Sequence, residues 1–148
     1  MSATIEPKER MTKRRVEERI RDWRRRLRGL FAQIEGWTRY MRDRPSVSKG
    51  VTQQRNEQMM REFGVAPRQL PTLTIHCLQG SIEFAPSCLW IVGANGRVNV
   101  SVGDTPYTLF DMGGEDRQPS DWQLQNRDPD IVLEPFTREA FLRIAGSG

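Results

Sequence analysis

From Val16 onward, apolar side chains fall at Val16, Ile20, Trp23, Leu27, Leu30, Ile34, Trp37 and Met41, in alternating steps of four and three. That spacing lines them along one stripe of an α-helix and predicts a heptad seam about three and a half repeats long. With Ile20, Leu27, Ile34 and Met41 at the a positions, Val16, Trp23, Leu30 and Trp37 take d. Tryptophan at d suits a mixed bundle better than a parallel two-stranded zipper, so the stripe is expected to seek a partner surface. If the chain's own later segments supply that surface, the molecule can be monomeric; otherwise it oligomerises or joins a larger complex.

Downstream the pattern changes. Residues 43–50 (DRPSVSKG) have the composition of a linker. A short helix is expected over 52–63, with Thr52 as N-cap, Gly64 as its terminator and Val65 folding back on Met60. Beyond Pro67 and Pro71 come short alternating segments at 72–78, 81–84, 88–92, 97–102, 107–110, 122–125 and 131–134, the signature of an antiparallel meander. Asn95-Gly96 predicts a two-residue hairpin turn, which would gather Leu89, Ile91, Val98, Val100 and Val102 on one face. A last helix should be capped by Thr137, stapled by Phe136 and Phe141 and ended by Gly146. The fold class is therefore α+β: a basic heptad-patterned helix in 1–44, a linker plus short helix in 45–70, and an acidic antiparallel β unit with a C-terminal helix in 71–148.

Charge sharpens this division. The chain of 148 residues carries a net charge of +4. Residues 1–70 nevertheless hold 18 basic and 9 acidic side chains, while residues 71–148 hold 5 and 10. Such asymmetry fits either a polyanion-binding arm or two halves that attract each other. The basic candidates are Arg14, Arg15, Arg19, Arg21, Arg24, Arg25, Arg26 and Arg28, whose planar forks suit phosphate and carboxylate alike. Arg19 and Arg26 at g, Arg24 at e and Arg21 and Arg28 at b flank the seam, and are expected to stay exposed if it is buried.

Other candidates for chemistry are sparse. A turn at Gln79-Gly80 would set His76, the single histidine, across from Glu83, the preparation a general base needs, although an exposed cross-strand pair of this kind is also common in sheets. Cys77 adjoins His76, but strand neighbours point to opposite faces and zinc wants four ligands, so no metal is expected and the thiols are taken as reduced and structural. The loop 111–121 (DMGGEDRQPSD) gathers acids that could hold a cation, without EF-hand spacing. No phosphate-binding glycine loop, two-histidine zinc motif or nucleophile elbow is present, and no cofactor is implied. No apolar run approaches a membrane span or signal core, so a cytoplasmic and bacterial chain is expected. The expected role is a non-catalytic assembly or adaptor protein that self-associates or joins a protein partner and meets an acidic surface through its arginines. The alternatives are a nucleic-acid-binding regulator and a small hydrolase built on His76 and Glu83.

Overall fold

The computed structural model describes residues 11–125 and 132–146. Lys8 with its acidic neighbours Glu6 and Glu9, Ile131 of the last expected strand, and the terminal Ser147 and Gly148 lie outside the described residues. Helix α1 (Lys13–Trp37) starts at Thr12, whose hydroxyl accepts from the Arg15 amide, and runs into a 3₁₀ turn at Thr38–Tyr40. Then follow β1 (Ser46–Gln53), α2 (Gln58–Glu62), β2 (Gln69–Cys77), β3 (Gly80–Cys88), β4 (Arg97–Val102), β5 (Thr105–Asp111), β6 (Trp122–Gln125), β7 (Leu133–Pro135) and α3 (Arg138–Ile144). The strands form one antiparallel sheet in chain order, an α+β meander.

One face of the sheet is apolar and the helices lie on it. Leu73, Ile75, Ile82, Phe84, Val98, Val100, Leu109 and Leu124 are buried there. They share a single core with Val16, Ile20, Trp23, Leu27, Leu30 and Ile34 of α1, with Met41 just beyond it, and with Phe136 and Phe141. Trp23 stacks near Trp122 with ring centroids 6.0 Å apart, and Trp37 packs edge-on to Phe136 at 5.4 Å. The surface that the heptad stripe meets is thus the chain's own sheet. Burying that many large side chains at ~1.5–3 kcal/mol each makes the helix part of the core rather than an arm beside it. The other face, with Ser48, Thr74, Glu83, Asn99 and Ser101, is polar, the alternation of a one-sided sheet.

The region 45–70 departs from expectation. The supposed linker is edge strand β1, paired along its whole length with β2, and the short helix begins at Gln58 rather than at Thr52. An edge strand whose side chains are mostly in solvent needs no apolar alternation, and Lys49 and Gly50 suit an edge that must not pair further. The end of α2 follows expectation: Gly64 has φ +67°, its N–H donates to Arg61, and Val65 N–H donates to Met60 O at 2.9 Å, a Schellman closure over buried Met60 and Val65. Thr137 likewise caps α3 through the Ala140 amide.

The turn at Asn95-Gly96 is also corrected. The tight turn is Val92-Gly93, bracketed by the bridge between Ile91 and Ala94, while residues 88–92 form no strand of their own after β3 ends at Cys88. Asn95 keeps a negative φ and is buried, whereas Gly96, at φ +114°, lies under Trp23, where a Cβ would come within 2.2 Å of the ring. The Asn-Gly pair marks a place where backbone passes closely beneath an indole instead of a hairpin tip.

Candidate acidic-partner interface

The arginines of α1 divide according to which side of the helix meets the sheet. Arg26 is the most enclosed, its side chain 1% exposed. Its Nε donates to Asp22 Oδ2 at 2.7 Å and its Nη1 to Asp111 Oδ2 at 2.9 Å. Its Nη2 meets the carbonyls of Gly114, Asp116 (3.0 Å) and Gln118 (3.1 Å). Asp111 has no exposed surface, and its Oδ1 accepts from the amides of Gly113 and Asp121 at 3.0 and 2.9 Å. The acid-rich loop 111–121 is therefore wound about a cation, and that cation is a guanidinium. Burial lowers the Arg26 pKa, but hydrogen bonds to Asp111 and Asp22 outweigh it and the net direction is upward. Among the described residues no group of His, Cys, Asp and Glu is placed to hold a metal ion.

Three neighbours reach the same loop, Arg25 only through the Asp116 carbonyl at 3.4 Å. Arg15 meets Asp116 at 2.5 Å, and that hydrogen bond is the main reason its pKa is raised. Arg19, also buried, contacts Asn95 Oδ1 and Glu115 Oε1, each at 3.5 Å. The expectation that the g-position arginines stay exposed is overturned for Arg19 and Arg26, because a sheet and its loop cover a wider arc of helix than a second helix would. The attraction between basic and acidic halves is thus partly intramolecular.

The remainder face outward. Arg14, Arg21 and Arg28 repeat every seven residues and are exposed, with Arg25 exposed between the last two. At a rise of ~1.5 Å per residue, Arg14 and Arg28 stand about 21 Å apart along the axis. Arg14 has Glu18 at 3.5 Å and Arg25 has Asp22 at 2.6 Å, while Arg24, half-buried, donates to the Gln69 carbonyl at 3.1 Å. Exposed pairs of this kind are worth little and exchange readily for other anions.

The His76 candidate changes partner. The turn is Leu78-Gln79, so Cys77 faces Gly80, His76 faces Ser81, and Glu83 falls opposite Thr74. His76 Nε2 instead lies 2.6 Å from Ser48 Oγ on the exposed edge strand. The loss of direct register follows from a hairpin one residue out of phase with the expected one. Cys77 is half-buried, and burial, reinforced by Asp43, raises its thiol pKa, the opposite of what a nucleophile needs. Sequence reasoning placed Asp111 in a possible cation-holding loop but did not identify Arg26 as its cation, and it read Asn95 only as a turn residue; only the fold brings the two to the arginines. Among the described residues no helix is long and apolar enough to cross a membrane. No family model, curated protein or solved structure matches this chain.

Proposed function

We propose that the chain is a non-catalytic adaptor that meets an acidic partner through the arginine ridge of α1. The observation that supports this is the ridge itself: Arg14, Arg21 and Arg28 in register on the outer side of a helix whose apolar stripe is already covered. A helix held on a sheet presents these charges at fixed spacing, so a polyanion meets them without first having to order them. The acidic loop takes Arg15, Arg19 and Arg26, and Arg14 meets Glu18, while Arg21 and Arg28 have no carboxylate partner among the described residues.

The test uses the intact chain, because removing α1 would strip the sheet of its cover. Fluorescence anisotropy across a salt series would compare generic duplex DNA, single-stranded RNA and polyglutamate. Expected is binding to at least one of them, falling steeply with salt. For a duplex, each phosphate met contributes ~0.9 to the slope of log affinity against log salt, so Arg21→Gln with Arg28→Gln should flatten it by about two. Absence of binding to all three at low salt, or a slope unchanged in the double variant, overturns the proposal, and preference among the probes identifies the partner class.

A further inference from the structure

We infer that the cleft beside Arg19 is a binding site for a small carboxylate-bearing molecule with an apolar body, separate from the ridge. The cleft encloses about 380 Å³ between α1, the segment ending at Asn95 and the Gly113–Glu115 side of the acidic loop. That lies within the ~300–1,000 Å³ of small-ligand pockets.

Arg19 is what makes the cleft specific. Its side chain is more than nine-tenths buried, yet its two contacts, Asn95 Oδ1 and Glu115 Oε1, are both at 3.5 Å, the outer limit of hydrogen bonding. Arg26, one heptad on, meets its partners at 2.7–3.1 Å or closer on Nε, Nη1 and Nη2. Two arginines seven residues apart in one helix therefore differ in saturation, and the unsaturated one lines a cleft. A buried guanidinium with N–H groups to spare is best completed by two oxygens in its plane, which a carboxylate supplies.

The rest of the wall narrows the ligand. Trp90 offers apolar surface to the cleft, and its indole Nε1, buried without a hydrogen-bond partner among the described residues, makes its signal a reporter on that wall. Glu115, its side chain 62% exposed, lines the same cleft and stands as an internal competitor for Arg19. A carboxylate there disfavours a dianion such as phosphate, while a monocarboxylate can displace it from Arg19 as the exposed side chain turns to solvent.

Benzoate is the probe, with benzamide as its neutral isostere and inorganic phosphate as the dianion. Binding would be followed by calorimetry and by the indole N–H signals, Trp90→Phe assigning the Trp90 signal. Expected is saturable benzoate binding that shifts the Trp90 indole signal, with no such response to benzamide or phosphate. Arg19→Gln should weaken benzoate about tenfold or more. Glu115→Gln, which leaves the buried groups intact, should tighten it about threefold. Benzoate failing to saturate both the intact protein and Glu115→Gln overturns the inference, as does equal binding of benzamide or preferred binding of phosphate. Since Arg21 and Arg28 take no part, this result is independent of the polyanion assay.

Discussion

Replacing Arg26 by Met should be among the most damaging changes in the molecule. The methionine fills similar space, so the loss is chiefly electrostatic. Asp22 keeps Arg25 at 2.6 Å and is partly solvated, but Asp111 has no exposed surface and its Oδ2 would lose the one partner it has among the described residues. The carbonyls of Gly114, Asp116 and Gln118 would be released together, and the loop would lose its centre. Removing one member of a buried ion pair costs ~3–5 kcal/mol, because the other charge is left behind. Asp111→Asn should cost less, about 1–2 kcal/mol, since the amide oxygen still accepts from Gly113 and Asp121 and Arg26 retains Asp22. The two together should cost less than the sum, with a coupling of ~1–3 kcal/mol. Urea unfolding with an m-value of about 2 kcal/mol/M would place the Arg26→Met midpoint ~2 M below that of the parent. Arg26→Lys should rescue little, because a single ammonium cannot bridge two carboxylates and three carbonyls. A loss under ~1 kcal/mol for Arg26→Met, or strict additivity with Asp111→Asn, would refute the reading of Arg26 as the cation that organises the loop.

Gly96→Ala would place a methyl within 2.2–2.8 Å of three Trp23 ring atoms at φ +114°, and should lower the melting temperature by roughly 10 °C, about 3 kcal/mol; a shift of a degree or two would contradict the close packing. Glu57 accepts from the Leu89 and Trp90 amides, but burial dominates and raises its pKa, so the folded state holds the proton more tightly than the unfolded chain. Stability contributed by this group is therefore fully present below the ordinary carboxylate value and falls as pH rises through the folded pKa. Measured against Glu57→Gln across that window, the parent should gain relative stability on acidification, and a flat or opposite trend refutes it. The Cys77 thiol, raised by burial and then by Asp43, should alkylate with iodoacetamide at pH 8 more slowly than free cysteine and faster in Asp43→Asn, as read by mass spectrometry on the Cys77 peptide.

The parts of the fold that were legible are those where side-chain chemistry and backbone agree. Strands β4 and β6 match the alternating segments at 97–102 and 122–125, Thr137 caps its helix, and Gly64 closes another in the left-handed region. Strand β1 was hidden because an edge strand in solvent is written in Ser, Lys, Gly and Thr, residues that also make linkers. Asn95-Gly96 misled for a different reason. The hairpin preference of Asn-Gly is local, whereas here Asn95 spends its side chain on the carbonyls of Gly113 and Gly114, and Gly96 yields to Trp23. The acidic loop was visible as a cation holder, but its cation lies 85 residues earlier in the chain and carries no motif of its own.

The helix carried a further signal of what it faces. A heptad repeat stays in line only on a supercoiled helix; on a straight one the stripe drifts by ~20° per heptad. The drift takes successive g positions away from the buried face and brings successive e positions into it. The structure has that sequence: Arg19 and Arg26 at g are buried and Gln33, the next g, is exposed, while Arg24 at e is half-buried and Phe31 and Thr38, the following e positions, are buried. Phe31 was the clue in the sequence, an aromatic residue just outside the seam that a two-helix interface would leave at its margin. It packs on Phe84 of the sheet with centroids 6.3 Å apart. The same drift explains why Arg19 and Arg26 at g reach the acidic loop and Gln33 does not, whereas the b positions Arg14, Arg21 and Arg28 start so far round from the seam that they remain the outward charge of the helix.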